Sequence, residues 1–454
     1  MDEDGDDRVK LGYLEKFSLD IFEFLGAYVF SEKGKNCLLA SNGCTMFVSD
    51  ELMKRLKNHK LDDAFMIKLV QHGLAYVPGK NLFYSGKEIE IHYFIIDLTK
   101  RCNFDCIYCF RKLDDHTVMK RNTLMDVLRY IERYCNKKGL KNIGIQLWGG
   151  EPALAMKEIE YVVQYFDDKE IEVSFDIETN GSLVTKEIAL KWKQWGIHVG
   201  VSIDGPPRIQ NIQRPLVEGG ASSDAVERGI CNLQKYYKAP FGGIVVVTKY
   251  NYRHVREMLD YFIYKLHLHA LKFNIVRDNR NALDDRLGLE EEEVAWFANE
   301  LMDYLEAFYM LGANFTEGNI DIRIRNLLER SKVSCCLSNG CQGGKCIISI
   351  DRNGDIFPCE MIDFQEEKIG SIYENEQLED QIKKSISDHL FFKPKKDEEC
   401  QKCPWWCYCG GGCSSRNRYA GRDGCIDKVE CKLNKTIYPR LIEAILNGKI
   451  KLGD

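Results

Sequence analysis

The chain has 454 residues, of which 44% are hydrophobic and 29% are charged, and these proportions exclude a globally disordered protein. At roughly 100–200 residues per domain, the length predicts about two to four domains. A formal net charge of -6 argues against nucleic acid as the main partner, because phosphate binding needs a basic face. The acidic start MDEDGDDRVK is not typical of a signal peptide, and no apolar run reaches the roughly 18 residues of a membrane span. We therefore expect a cytoplasmic protein without a membrane partner.

The first 85 residues carry a mixed pattern of short strands and helices. Strands are predicted at 27–31, 36–40, 45–48 and 74–77, and helices at 50–58 and 61–72. Ser49 stands where an N-cap residue would begin the first helix, and Leu52, Met53 and Leu56 give that helix an apolar face. This block differs from the pattern that follows it and is predicted to be a separate domain, residues 1–85.

From about residue 90 the pattern alternates between strands and helices. Six strands rich in Ile, Val and Phe are predicted, as expected for parallel strands that are buried on both faces: 91–98, 143–147, 172–177, 199–203, 243–247 and 271–276. Helices are predicted between them, at 123–135, 157–166, 186–194, 224–237 and 254–266. The fold class is therefore α/β, a partial (β/α)6 barrel over residues 86–330 that a long helix at 290–311 closes. Functional residues should lie at the carboxyl ends of its strands.

Cysteine is the most informative residue type. The chain has 19 cysteines, and twelve of them lie from Cys335 to Cys431. In a reducing compartment, clustered cysteines are metal ligands more often than disulfides. A secreted disulfide framework is the alternative, but such frameworks are typical of short chains with a signal peptide. The sequence thus predicts a metal-binding C-terminal domain, residues 331–454, which ends in a helix near 435–447.

The first chemical motif is Cys102-Asn-Phe-Asp-Cys106-Ile-Tyr-Cys109, directly after the first barrel strand. Three thiolates on one tight loop can hold three corners of a [4Fe–4S] cluster and leave the fourth iron open for a ligand. A zinc knuckle with a distant fourth ligand is the alternative. The spacing resembles that of the radical S-adenosylmethionine (SAM) superfamily. The resemblance implies an enzyme whose open iron binds the methionine part of SAM and whose reduced cluster cleaves SAM to a 5′-deoxyadenosyl radical.

A second motif, Gly149-Gly150-Glu151-Pro152, follows the second barrel strand and matches the GGEP motif of that superfamily. The resemblance implies that its backbone and Glu151 contact the methionine amino group. It also implies SAM contacts from four residues on neighbouring loops: Tyr108 beside the adenine, Asn180 and Ser202 near the ribose and carboxylate, and Arg214 at the carboxylate. A plain surface charge is the alternative for Arg214.

The third motif is the C-terminal array, in which Cys400, Cys403, Cys409 and Cys413 follow the pattern CxxC-x5-CxxxC, after a Gly-x4-Cys segment that ends at Cys359. This array resembles the SPASM domain, an extension with two auxiliary [4Fe–4S] clusters. The resemblance implies one cluster on Cys341, Cys346, Cys359 and Cys413. It implies the other on Cys400, Cys403, Cys409 and Cys431, with Cys425 as the rival to Cys431. Two structural zinc sites are the alternative.

SPASM enzymes mostly modify peptides or proteins, and the N-terminal block is similar to small winged-helix domains that bind leader peptides. We therefore expect a maturase of a ribosomally made precursor peptide, most simply one that forms a cysteine thioether, with an external flavodoxin-type or ferredoxin-type electron donor. A plain structural extension is the alternative for the N-terminal block.

Two other functions remain as alternatives. An anaerobic sulfatase maturase fits the cysteine array, but a His-Asp pair expected after the fourth strand is replaced by Gln210-Asn211, and such enzymes usually lack an N-terminal block of this size. A non-catalytic iron–sulfur electron carrier fits less well, because a carrier has no use for a bound sulfonium.

Overall fold

The computed structural model describes residues 10–19, 22–76, 89–111, 117–276, 285–328, 336, 340–362, 365–388, 396–419 and 425–450. The predicted domain boundaries at 85 and 330 and the unassigned Cys335 lie outside these residues. All described cysteines are free thiols. Within the described part of the chain, no helix is both long and apolar enough to cross a membrane.

The N-terminal region contains two small antiparallel sheets, ordered β1-β4-β5-β6 and β2-β3-β7. Its elements are β1 (Lys10–Leu14), β2 (Phe17–Leu19), β3 (Phe22–Phe24), β4 (Ala27–Glu32), β5 (Lys35–Ala40), β6 (Thr45–Ser49), α1 (Asp50–Lys57), α2 (Asp63–Gln71) and β7 (Ala75–Tyr76). Ser49 caps α1 as predicted, because its side chain accepts a hydrogen bond from the backbone N–H of Leu52. The sequence did not predict β1 to β3, which are short, and β1 is almost fully exposed and so carries no apolar alternation.

The central region is the predicted partial barrel. Its strands are β8 (Tyr93–Thr99), β9 (Asn142–Gly149), β10 (Glu172–Thr179), β11 (His198–Ser202), β12 (Gly242–Val247), β13 (Ala270–Ile275) and β14 (Thr316–Glu317). Its helices are α3 (Arg121–Lys138), α4 (Met156–Phe166), α5 (Lys186–Gln194), α6 (Pro207–Gln213), α7 (Ser223–Asn232), α8 (Val255–Asp260), α9 (Glu291–Met310) and α10 (Gly318–Leu328). All six predicted strands occur, and they lie side by side in chain order and parallel. The predicted α/β class and partial barrel are confirmed.

The cysteine-rich region adds strands to the same sheet. Its elements are β15 (Ile347–Ile350), β16 (Asp355–Phe357), β17 (Gly370–Ser371), α11 (Leu378–Asp388), α12 (Glu398–Gln401), α13 (Trp406–Cys409), α14 (Ser414–Tyr419) and α15 (Lys428–Leu446). Strand β15 pairs in parallel with β8, with Ile347 opposite Tyr93. The last helix begins earlier than predicted, at Lys428, because Asp427 caps it by accepting from the N–H of Glu430.

The N-terminal sheet packs against the cysteine-rich region. Phe30 of β4 stacks on Trp405 with ring centroids 5.2 Å apart, and Trp405 stacks on Tyr438 of α15 at 4.9 Å. The hydroxyl of Tyr408 donates to the backbone carbonyl of Gly43 at 2.7 Å. These aromatic contacts fix the N-terminal region beside the C-terminal cysteines.

Candidate active site

The carboxyl ends of β8 to β13 surround a cavity of about 320 Å³. This cavity, which we call the barrel cavity, is where a partial barrel is expected to hold its site. Nine of the sequence-predicted residues line it: Cys102, Cys106, Tyr108, Cys109, Gly149, Gly150, Asn180, Ser202 and Arg214. The structure thus brings together residues from five separate segments of the chain.

The cysteine loop is tied to the segment that follows α6. The N–H of Asp105 donates to the carbonyl of Pro215 at 2.9 Å. The half-buried thiols of Cys102, Cys106 and Cys109 all open into the barrel cavity. Burial, followed by the nearby charge of Glu151, raises the pKa of Cys102 to about 12. Three thiols on one loop beside an open cavity fit three corners of a [4Fe–4S] cluster, and binding would displace their protons.

The two glycines of the second motif allow the β9 loop to lie against the cysteine loop. A Cβ atom on Gly149 would lie 2.7 Å from the carbonyl oxygen of Thr99, and one on Gly150 would lie 2.5 Å from that of Arg101. The N–H of Gly150 donates to Thr99 and that of Glu151 to Arg101, both at 2.7 Å. These amides support the cysteine loop and are already used in hydrogen bonds.

The carboxylate of Glu151, which the resemblance places at the methionine amino group, is enclosed by hydrogen bonds within the protein. This fully buried carboxylate accepts hydrogen bonds from the N–H of Ala153 at 3.0 Å, the hydroxyl of Thr179 at 2.6 Å and the N–H of Asn180 at 2.7 Å. Burial raises the pKa of Glu151, and these hydrogen bonds oppose the shift. Among the described residues, neither Glu151 nor the buried Pro152 lines the barrel cavity. Glu151 therefore joins the β9 and β10 loops.

Arg214 forms an ion pair with the buried carboxylate of Asp204, which was not among the predicted site residues. Its side chain is only 8% exposed, which excludes the surface-charge alternative. The guanidinium Nε lies 3.1 Å from Oδ2 of Asp204, and the same oxygen accepts from the hydroxyl of Tyr108 at 2.6 Å and from Gln213 at 2.9 Å. Burial alone would lower the pKa of Arg214, but Asp204 raises it, so a fixed positive charge faces the cavity. The sequence signal for Asp204 was its place in the segment Ser202-Ile-Asp204-Gly205-Pro206 after the fourth strand, in which only Ser202 was predicted to contact SAM.

A second cavity, of about 210 Å³, lies between the barrel and the C-terminal region. Cys336, Cys341, Cys359 and Cys413 line it, and we call it the cysteine cavity. Burial, followed by the charges of Glu360 and of neighbouring thiols, raises the pKa of Cys359 well above its usual range. Cys413 joins this set from a distant segment, as the SPASM resemblance implied.

Cys346 was predicted for this set, but the described residues that line the cysteine cavity do not include it. Its thiol donates to Oε1 of Gln342 at 3.4 Å. Cys336, an exposed residue, lines the cavity wall. Spacing alone could not select between them, because both lie five residues from Cys341.

The other predicted set is Cys400, Cys403, Cys409 and Cys431, and electrostatic interactions link some of its members. Burial raises the pKa of Cys400 to about 12, and the negative charges of the Cys431 and Cys403 thiolates add to this shift. Cys431 also neighbours Cys409, where burial is again the main cause of a raised pKa. The rival Cys425 is exposed. Among the described residues, no group of three or more metal-binding side chains is arranged around a single metal ion.

Comparison with known proteins identifies the family. A family model described as the radical SAM superfamily matches residues 96–262, which contain both the cysteine loop and the GGEP motif. The uncharacterized protein MJ0907 of Methanocaldococcus jannaschii is 30% identical over 271 residues, which cover 59% of this chain and 85% of that protein. The chain belongs to the radical SAM superfamily.

Several named proteins are also similar to it. The cysteine-type anaerobic sulfatase-maturating enzyme of Clostridium perfringens is 26% identical over 367 residues, 77% of this chain and 96% of that protein. The solved structure of anSMEcpe with bound AdoMet matches with a TM-score of 0.67 at 24% identity, over 78% of this chain and 95% of that one. Streptococcus suis SuiB bound to its precursor peptide SuiA matches with a TM-score of 0.57 at 15% identity, over 87% and 96%. These two structures share the fold.

In a radical SAM enzyme, the cluster and SAM together supply a 5′-deoxyadenosyl radical. The residues of this chain provide the surroundings. Cys102, Cys106 and Cys109 would hold the cluster, and Arg214 offers a fixed cation for a carboxylate. The ring of Tyr108, with the guanidinium 5.3 Å from its centroid, contributes to a largely water-excluded wall. Preorganised charges of this kind act strongly because little solvent screens them.

Proposed function

We propose that this radical SAM enzyme is a maturase that oxidises a residue of a peptide or protein substrate. The barrel cavity and the cysteine cavity share a wall, and this shared wall is the main observation behind the proposal. Five residues line both cavities: Lys272, Asn274, Ile275, Glu360 and Met361. A substrate at this wall would lie between a source of radicals and a thiol-lined site suited to a redox centre.

We infer three [4Fe–4S] clusters from the way the thiols group. The radical cluster would use Cys102, Cys106 and Cys109. One auxiliary cluster would use Cys336, Cys341, Cys359 and Cys413, with Cys336 in the place first assigned to Cys346. The other would use Cys400, Cys403, Cys409 and Cys431. The anaerobically reconstituted protein should therefore contain about twelve iron and twelve sulfide per chain. A value near four with zinc making up the rest would contradict the auxiliary clusters.

Formylglycine formation is the outcome that the named relatives favour. Two cysteine-type sulfatase-maturating enzymes are 25–26% identical to this chain across 94–96% of their own length. Gln210 and Asn211, which replace the expected His-Asp pair, hydrogen-bond to Ser222, and Asn211 also accepts from the N–H of Ser223. These two amide side chains thus stabilise the start of α7. The replacement of the expected His-Asp pair by Gln210 and Asn211 therefore affects the local fold.

Cross-linking, most simply a cysteine thioether, is the second candidate, and the N-terminal region favours it. The likeness to SuiB covers 87% of this chain, against 78% for anSMEcpe. Residues 1–85 would then serve as a leader-binding unit, in which an extended peptide adds to a sheet edge. The exposed strand β1, with Leu11 58% and Tyr13 51% exposed, lies at such an edge.

Intact-mass spectrometry separates these outcomes. The reconstituted enzyme is incubated with SAM, a reductant and either the Cp18Cys peptide, which a solved relative binds, or short peptides encoded beside its gene. Formylglycine formation gives an aldehyde that has lost the sulfur, whereas a thioether gives a peptide that is lighter by two hydrogens. Peptides left unchanged in mass and isotope content while SAM is consumed would contradict the maturase proposal.

A further inference from the structure

The interior face of β10 carries two carboxylates with different surroundings. Because side chains alternate along a strand, Asp176 and Glu178 point to the same side of the sheet. Asp176 accepts a hydrogen bond from the hydroxyl of Tyr93 at 3.0 Å and lies 3.3 Å from the imidazole of His198. Glu178, one pleat further on, lines the barrel cavity. Its carboxylate makes no hydrogen bond or ion pair with any other residue that the structure describes.

The neighbouring strand leaves room for this carboxylate. Gly200 of β11 is the residue paired with Glu178, and a Cβ atom there would lie 3.7 Å from Cγ of Glu178. Glu178 therefore remains accessible from the cavity, whereas Glu151 is enclosed by its three hydrogen bonds.

The charges that face Glu178 come from every side of the cavity. Burial, followed by the charge of Glu360 from the cysteine-rich region, raises the pKa of Glu178 to about 7, and Asp176 adds to this. Lys272 on β13 and Arg214 after α6 oppose the shift. Glu178 can therefore both lose and accept a proton near neutral pH, as a general base must.

Glu178 also lies where a product would form. Two of the charged groups that face Glu178, Lys272 and Glu360, belong to the wall that the barrel cavity shares with the cysteine cavity. A substrate carbon that reacts at this wall would have Glu178 on the side of the barrel cavity. The thiols of the cysteine cavity, where we propose a redox centre, would lie on the opposite side.

We propose that Glu178 is the proton acceptor of the substrate-modifying step. The proposal rests on the maturase function. The 5′-deoxyadenosyl radical removes one hydrogen atom from a substrate carbon and becomes 5′-deoxyadenosine. The carbon radical then gives one electron to an oxidised iron–sulfur cluster, and one proton passes from the substrate thiol to the Glu178 carboxylate as a carbon–sulfur bond forms or gains double-bond character. The substrate thus loses two electrons and two protons in total.

The test compares Glu178→Gln with Asp176→Asn, a matched control on the same face of the same strand. The probe is the Cp18Cys peptide with deuterium on the β carbon of its cysteine. We expect Glu178→Gln to keep its iron, its SAM affinity and the transfer of deuterium into 5′-deoxyadenosine. The yield of modified peptide per 5′-deoxyadenosine should fall about 100-fold, the usual size of a general-base contribution. The wild-type yield should rise with pH through about 7, as Glu178 loses its proton, and the Gln variant should show no such rise.

A wild-type yield from Glu178→Gln would overturn the proposal, and so would loss of deuterium transfer, because that loss would assign Glu178 to substrate binding. Absence of deuterium transfer in the wild-type enzyme would instead contradict formylglycine formation, the form of the maturase function that this test uses. If the Gln variant does not retain iron, Glu178→Asp replaces it. That variant keeps a carboxylate one methylene further back, so it should give a reduced yield that still rises with pH. A yield independent of pH would contradict the proposal.

Discussion

The cysteine loop and the cysteine-rich region both supply cysteine sulfur atoms as possible cluster ligands, but they arrange these atoms differently. The loop supplies three thiols from residues 102–109, and all three open into a cavity that also contains glycine backbone, a fixed arginine and an accessible carboxylate. The cysteine-rich region supplies four thiols to the cysteine cavity, from segments as far apart as Cys336 and Cys413. A site with three thiols leaves one iron free to bind a ligand, whereas a site with four can be saturated by protein. On this difference rests our proposal that the loop performs chemistry and that the C-terminal sites carry electrons.

The strongest test of this division replaces Cys102, Cys106 and Cys109 together by Ala. We expect 5′-deoxyadenosine formation to be abolished, because only the cluster with an open iron holds the sulfonium. The iron content should fall by about one third, to eight of twelve per chain. Chromatography of the reaction products and an iron assay measure the two quantities. SAM cleavage by this triple variant would contradict the division.

The second test concerns which thiols make up the cysteine cavity. Cys336→Ala should lose about four iron per chain, the content of one cluster, because it removes a thiol that lines the cavity. Cys346→Ala serves as the matched control and should retain its iron, because the Cys346 thiol bonds to Gln342. Iron assays and electron paramagnetic resonance of the reduced proteins measure both. The reverse result would restore the assignment that the sequence favoured.

The smallest expected effect concerns the glycine loop that supports the cysteine loop. Gly150→Ala would place a Cβ atom 2.5 Å from the carbonyl oxygen of Arg101, so the two loops must separate. The unfolding free energy should fall by about 1–3 kcal/mol, as for other overpacked sites, and SAM affinity should fall with it. Gly12→Ala is the control, because nothing lies within 4 Å of a Cβ atom there. Equal denaturation midpoints for the two variants would show that the loops are not closely coupled.

Local spacing was enough to predict the cysteine loop, the GGEP loop and all six barrel strands, because each depends on residues close in sequence. Tertiary contacts decided the rest. The burial of Arg214 depends on Asp204, and the enclosure of Glu151 depends on the β10 loop. Which of Cys336 and Cys346 lines the cysteine cavity depends on how two distant segments meet. Strand β15 was not predicted, since a run of four residues gains its strand character only by pairing with β8.

The pairing of β15 with β8 also affects how the molecule is made. Ile347 lies opposite Tyr93, although about 250 residues separate them in sequence, and contacts of such long range form late in folding. Until β15 has been synthesised, the outer edge of β8 carries unpaired backbone groups, which invite association with other chains. A chain that stops before the cysteine-rich region would therefore be expected to aggregate rather than to fold as a smaller radical enzyme. Because β8 leads directly into the cysteine loop, iron loading should follow the completion of nearly the whole chain.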